Sequence, residues 1–420
     1  MNNVPKLRFG EFDGEWEEKN YGDIYSFFTT NSLSRDKLNY DDGLVKNIHY
    51  GDIHTKFSTI FDIEKENVPF INSDVNLSKI KEESYCQEGD LVIADASEDY
   101  ADIGKTIELK NLNNTELLAG LHTFLARPNK EEIFIGFMGY LLQSWKIRKQ
   151  MMTIAQGTKV LSLSTKRVAQ INLDLPQKQE QQEIATFLTS VDKKITILES
   201  KISNLEKYKK GLMQKIFSQE LRFRGDDGEF FGEWEEKKLG DIANFSKGKG
   251  ISKSDIVEDG EVKCIRYGEL YTVYNETILS IKSRTNLNKE NLVLSQFNDV
   301  IIPASGETQI DIATASCVLK NDVALSGDLN IIRTEENGIF LAYYLNSAKK
   351  LDIARLSQGI SVVHLYASQL KTLKINLPSL KEQTKIANFL SSIDKKIEQS
   401  QKELEGVKRF KKGLLQYMFV

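Results

Sequence analysis

The chain has 420 residues, of which 40% are hydrophobic and 28% charged. At roughly 100–200 residues per domain this predicts two to four globular domains and excludes a wholly disordered or collagen-like chain. A net charge of −4 excludes a globally basic coat for nucleic acid. Three scattered cysteines (Cys86, Cys264, Cys317) exclude a disulfide framework or a cysteine zinc site and fit a reducing compartment. Met1–Gly10 carries no apolar signal core, and the longest apolar run, Ile133–Leu142, is far short of the ~18 residues of a membrane span. A cytoplasmic protein with no membrane partner is expected.

In chain order, the first block (1–174) opens with Glu15-Trp16-Glu17-Glu18-Lys19 and Gly22-Asp23-Ile24, then Tyr50-Gly51-Asp52-Ile53-x-Thr55. Leu91-Val92-Ile93-Ala94 and Phe124-Leu125-Ala126 read as short buried strands, and Ile133–Ser144 as an apolar helix. Gln156-Gly157 precedes the end of the block. Block 221–376 repeats this order: Glu233-Trp234-Glu235-Glu236-Lys237, Gly240-Asp241-Ile242, Tyr267-Gly268-Glu269-Leu270-x-Thr272, strands at Val300-Ile301-Ile302 and Asn330-Ile331-Ile332, a helix at Ile339–Ser347, and Gln358-Gly359. The loop after the first buried strand keeps Glu98, Asp102 and Ile103 as Glu307, Asp311 and Ile312. Each block is a mixed α+β reader large enough for its own core.

The segments 175–220 and 377–420 are predicted as long helices. Leu175–Phe217 aligns with Leu377–Phe419 without a gap, 19 of 43 positions being identical. Insertions and deletions therefore fall in the readers, and the helices keep a fixed length. Ile184, Leu188, Val191, Ile195, Leu198, Ile202 and Leu205 follow heptad spacing, as do Ile386, Leu390, Ile393, Ile397, Leu404 and Val407, with Ser400 as a polar interruption. Each helix is about 60 Å long at 1.5 Å per residue. The two seams are expected to pack on each other as an antiparallel coiled coil, dimerisation through the same heptads being the alternative. Lys209 and Lys411 stand where the heptad calls for an apolar side chain. They read as snorkelling residues at a frayed end, with a DNA or partner contact as the second reading.

The helices are basic and the readers acidic. Residues 177–217 hold 8 lysines against 5 acids, and residues 25–155 hold 14 basic against 20 acidic side chains. Base-gripping Pro-Pro-Tyr/Phe is absent, since all six prolines are isolated, and no proline precedes an aspartate. Gly104-Lys105-Thr106 lacks the glycine of a phosphate loop, Asp99 standing there. His49 and His54 are five apart, outside the helical zinc spacing. No catalytic site and no metal site is predicted.

The motifs Leu175-Pro176-x-x-x-Glu180-Gln181, Ile184-Ala185-x-Phe187-Leu188 and Asp192-Lys193-Lys194-Ile195 recur as Leu377-Pro378-x-x-x-Glu382-Gln383, Ile386-Ala387-x-Phe389-Leu390 and Asp394-Lys395-Lys396-Ile397. Lys209-Lys210-Gly211-Leu212 and Lys411-Lys412-Gly413-Leu414 close the two units. Over its whole length the chain resembles the specificity subunit of type I restriction–modification systems. The resemblance implies two target recognition domains (1–174 and 221–376), each docking on one half of a bipartite asymmetric site in double-stranded DNA. The helices would set the spacer. It also implies a non-catalytic chain that recruits two adenine methyltransferase (modification) subunits and the restriction subunits. S-adenosylmethionine, ATP and magnesium would belong to those partners. A coiled-coil adaptor joining two protein- or glycan-binding modules is the alternative.

DNA contacts are expected on loops at strand ends. The matched candidates are His49, Tyr50 and Thr55 in the first reader and Arg266, Tyr267 and Thr272 in the second. His replaced by Arg at one repeat position points to a hydrogen-bond donor toward a base edge or phosphate. Thr158 and Lys159 after Gln156-Gly157, Ser361 after Gln358-Gly359, and Lys105 and Ser305 complete the set. Residues kept in both copies can equally serve the scaffold while divergent loops read the bases.

Overall fold

The computed structural model describes residues 3–129, 131–359 and 362–420. Contacts divide it into two units, one of residues 1–199 with 403–420, the other of residues 200–402. Each unit holds one reader and a stretch of both long helices.

Strands and helices are labelled here in chain order. In the first unit β1 (Tyr25–Phe28), β2 (Ile60–Asp62), β3 (Leu91–Ala94), β4 (Thr106–Asn111) and β5 (Thr123–Pro128) form a sheet in the order β1-β5-β3-β4-β2. In the second, β6 (Ala243–Lys247), β7 (Thr277–Ile278), β8 (Asp299–Pro303), β9 (Ser316–Val318) and β10 (Leu329–Thr334) repeat it as β6-β10-β8-β9-β7. Within these two sheets the pairs β2–β4 and β7–β9 are parallel and the rest antiparallel. The apolar runs lie centrally: β3 is buried at all four positions and β8 at all five, as expected of strands covered on both faces. A four-stranded sheet flanks the main one in each unit. A two-stranded ribbon closes each reader, Glu17–Asn20 pairing with Asn172–Leu175 and Glu235–Lys238 with Lys374–Leu377. The repeated Glu-Trp-Glu-Glu-Lys and Leu-Pro motifs thus meet where the chain enters and leaves the domain.

Four helices matter for function: α1 (Tyr50–Thr55), α2 (Lys178–Phe217), α3 (Glu269–Thr272) and α4 (Leu380–Tyr417). The long helices α2 and α4 have 40 and 38 residues. They pack antiparallel. In the first unit Lys411 reaches Asp192 at 2.6 Å and Lys408 reaches Glu199 at 2.7 Å; in the second Lys209 reaches Asp394 at 2.7 Å. Ile184, Leu188, Val191, Leu198, Ile386, Leu390, Ile393 and Ile397 are buried, while Ile195, Ile202, Leu205, Leu404 and Val407 are half-buried. Ser400 lies in the seam, its hydroxyl donating to the Lys396 carbonyl. The seam also enters the reader cores. Phe419, just past α4, meets Trp16 and Phe137 in the first unit; Phe217, at the end of α2, meets Phe340 and Tyr344 in the second, where Trp234 packs on the same two rings.

Two expectations need correction. The helix expected over Ile133–Ser144 shrinks to Met138–Leu141. Gly136 adopts φ +102°, and the preceding turn is fastened by side chains: Gln181 accepts from the Phe134 amide, and Glu108 from Gly136 and Gly139. The helix expected over Ile339–Ser347 is present as Gly338–Ser347. Lys209 and Lys411 are not snorkelling at a frayed end. Each is half-buried in an ion pair and lies over a tyrosine ring, Tyr343 at 5.0 Å and Tyr140 at 5.5 Å.

Candidate nucleic-acid interface

In both units the residues that repeat most faithfully build a frame. Asp192 accepts from the Tyr140 hydroxyl at 2.9 Å and pairs with Lys411, so one reader side chain and both long helices meet at one carboxylate. Asp394 does the same with Tyr343 and Lys209, and Glu276 adds a second carboxylate 2.8 Å from Lys209. Burial raises the Asp394 carboxyl pKa, against the pull of Lys209. Burial alone would lower the Lys209 pKa, but Glu276 and Asp394 raise it overall. Glu180 holds Arg8 through both carboxylate oxygens at 2.8 Å and accepts from the Trp16 indole at 3.4 Å. The second copy is looser, with Arg222 3.5 Å from Glu382. Gln181 and Gln383 each donate to the carbonyl of the motif proline, Pro176 or Pro378. Sequence reasoning singled out these motifs by identity and missed their roles, because the partners of Asp192, Asp394, Glu180 and Glu382 lie far away in sequence.

The candidate DNA-contacting residues lie elsewhere, on segments stitched to one end of the main sheet. In the first unit α1 follows its cap His49 and runs beside β3. His54 Nε2 lies 3.1 Å from the Ala96 carbonyl oxygen, and Lys105 Nζ donates to the His54 carbonyl at 2.6 Å. The strand Ala96–Ser97 pairs with Leu161–Ser162, which carries the Gln156–Val160 turn. The structure therefore brings His49, Tyr50, Thr55, Lys105, Thr158 and Lys159 onto connected segments. Gly157 fixes the turn: it adopts φ +125°, and a Cβ there would lie 2.0 Å from the Val160 carbonyl oxygen. Gly359 repeats this geometry at φ +123°. In the second unit Arg266 and Tyr267 precede α3, and Ser305 pairs across a short ribbon with His364. Ser361 lies outside the described residues.

Several candidates already have local tasks. His49 Nδ1 accepts from the Gly51 amide at 3.1 Å and so caps α1. Burial, then Arg35, lowers its pKa, favouring the neutral ring that can accept. Arg35 also grips Asp52 through both terminal nitrogens, at 2.8 and 3.2 Å. The Thr55 and Thr272 hydroxyls donate to the Gly51 and Gly268 carbonyls, both at 2.8 Å. Tyr50 packs among His49, His54 and His122, and Tyr267 against the core beneath β8 and β10. Thr158 and Lys159 are exposed, whereas Arg266 and Ser305 are half-buried. No group of three metal-ligating side chains occurs among the described residues, and none of their helices is long and apolar enough to cross a membrane.

Comparison with known proteins places this frame. The profile of the type I restriction modification DNA specificity domain matches residues 13–207 and 232–409. The MjaVIII type I restriction enzyme specificity subunit of Methanocaldococcus jannaschii is 26% identical over 76% of this chain and 83% of its own length. A chain from the same organism described for the MjaX type I restriction enzyme is 26% identical over 98% of this chain and 95% of its own. Among solved structures, the S subunit of the M. genitalium type I system superposes with a TM-score of 0.59 at 14% identity, covering 99% of both chains. A chain from a study of type I complex assembly gives 0.55 at 14% identity, covering 95% of this chain and 96% of its own. These superpositions show a shared fold, and nothing in the matches supports the adaptor alternative. With both reader–helix units matched by one profile, the chain belongs to the type I restriction–modification specificity subunit family.

Proposed function

We propose that this chain is the DNA-recognition subunit of a type I restriction–modification complex, each reader contacting one half of a bipartite asymmetric site. The observation that carries this reading is the duplication itself. Two readers with one strand order stand in one chain, each with its own connected loop cluster and each anchored to both long helices. The helix pair sets the spacer between the half-sites. One added base pair moves a half-site ~3.4 Å and rotates it roughly 35° in B-form geometry of ~10–10.5 pairs per turn, so a rigid coil rejects wrong spacers. Joining two weak readers raises affinity through effective concentration.

The chain works in the cytoplasm and acts by binding alone. Two adenine methyltransferase subunits using S-adenosylmethionine, and restriction subunits using ATP and magnesium, supply the chemistry. Within the reader surfaces, the contacts fall to the loop cluster, with Lys159, Thr158 and Lys105 in the first reader and Arg266 and Ser305 in the second. The acidic loop positions Glu98 and Glu307 suit acceptance from cytosine amino groups better than contact with phosphates. Exchanging residues 25–155 for another reader tests the assignment. Methylome mapping in a strain with the cognate methyltransferase should show one half of the motif changed and the other kept. Alteration of both halves, or of neither, refutes it.

A further inference from the structure

The two copies of the cluster differ in one electrostatic respect. In the first unit a cation at the start of α1 is neutralised, because Arg35 pairs bidentately with the buried Asp52 and lies 3.3 Å from His49 Nδ1. In the second unit the matching acid, Glu269, is engaged otherwise: it accepts from the Arg266 backbone amide at 2.8 Å and from the Ser283 hydroxyl. The Arg266 side chain is left without a partner among the described residues, and its Nε is buried. The two terminal nitrogens are not among the buried unpaired atoms, so they reach solvent. A buried N–H without an acceptor is costly, and native proteins hold few of them. A guanidinium with its stem packed and its fork uncompensated is arranged to receive an acceptor pair from outside the chain.

We propose that Arg266 is the guanine-reading residue of the second recognition domain, donating in fork geometry to O6 and N7 in the major groove. This rests on the DNA-recognition reading above and deepens it. Guanine is favoured over phosphate for two reasons. A bidentate pair of acceptors on one base edge matches the rigid fork, and Arg to guanine is the commonest specific contact of this kind. The surroundings also disfavour a phosphate, since the Glu269 carboxylate adjoins Arg266, accepting from its backbone amide. The first domain has His49 at this position and is predicted to lack the contact.

The test uses the full chain with its cognate methyltransferase. The half-site of the second domain is identified beforehand by the reader exchange. Arg266→Ala should relax a single guanine position in that half and leave the other half unchanged. Arg266→Lys separates base from phosphate, because lysine keeps the charge but not the fork. A base contact predicts guanine preference lost in the alanine variant and weakened in the lysine variant. A phosphate contact predicts retained preference, with uniform weakening and a salt slope reduced by about 1 in the alanine variant only. Unmodified protein on DNA carrying 7-deazaguanine at that position guards against misfolded variants, and binding should fall about 10-fold, within the usual range for such a pair. A half-site without guanine, unchanged binding to the deaza substitution, or the phosphate pattern overturns the proposal. Failure of the unmodified chain to select any two-part site would instead overturn the DNA-recognition reading beneath it.

Discussion

Replacing Lys209 by methionine keeps the length and apolar character of the side chain and removes its charge. In the native chain the Lys209 side chain is 13% exposed, and it neutralises Asp394 (18%) and Glu276 (15%). Its loss leaves two largely buried carboxylates near each other with no cation. Removing one partner of a buried pair costs about 3–5 kcal/mol, mostly from the charge left behind. Lys411→Met is the internal control. It strands only Asp192, which is 32% exposed, and about 1–2 kcal/mol is expected there, between the surface and buried limits. The assay is denaturant unfolding of both variants and the parent, followed by the same measurement at lower pH. Asp394 already has a raised pKa through burial. Protonation therefore relieves the stranded charge in Lys209→Met, and the gap to the parent should narrow as pH falls. Equal losses for the two lysines, or a Lys209→Met deficit indifferent to pH, would refute the assignment of these lysines to a buried junction.

Glu108 is fully buried, and burial raises its pKa from 4.5 to about 7 against the opposing amides of Gly136 and Gly139. A carboxyl with a raised folded pKa stabilises fully below its unfolded value and loses that contribution as pH rises through the folded value. First-unit stability should thus drop by about 3 kcal/mol between roughly pH 4.5 and 7, and Glu108→Gln should flatten that slope in a pH series of melts. Gly157→Ala forces a Cβ into the Val160 carbonyl at a positive φ. Unfolding should show a loss of about 1–3 kcal/mol from the strained turn, and methylation of the first half-site should be lost in the same strain assay. Gly211→Ala meets nothing within 4 Å in mid-helix, and it should stabilise the chain by about 0.5–1 kcal/mol in denaturant unfolding.

The legible parts of the fold were those written as local periodicity. Apolar runs bounded by turn residues found the central strands, and the heptads found both long helices to within a few residues. The helix over 133–144 was misread because composition there is helical while the backbone is claimed by distant side chains, Glu108 and Gln181, around a left-handed glycine. The lysines at seam positions were misread for a related reason. Lys411 and Asp192 are 219 residues apart, and no window on one helix shows the acid that compensates the base. His49 illustrates the limit for the interface. Its pairing with Arg266 across the repeat was visible, but its use of Nδ1 to cap α1 depends on Gly51 presenting an amide, a fact of backbone geometry.

Internal identity marks the frame of the two units, and the physics says why. A position kept in both copies must satisfy both units at once, and the shared requirement is the junction of reader, α2 and α4. Asp192 with Tyr140 and Lys411, and Asp394 with Tyr343 and Lys209, are that requirement. Asp192 and Lys209 stand 17 residues apart on α2, as do Asp394 and Lys411 on α4. An antiparallel pair in this register therefore joins each acid to a base, whereas a parallel pair in register would set Asp against Asp and Lys against Lys. The same duplication that makes the helices alike thus favours one orientation for them, as buried polar groups fix register in other coiled coils. Two identical readers would report the same bases twice. On the proposal that the site is asymmetric the contacts differ between readers, and the copies diverge at Thr158-Lys159 after one left-handed glycine against different residues after the other, and at His49 against Arg266.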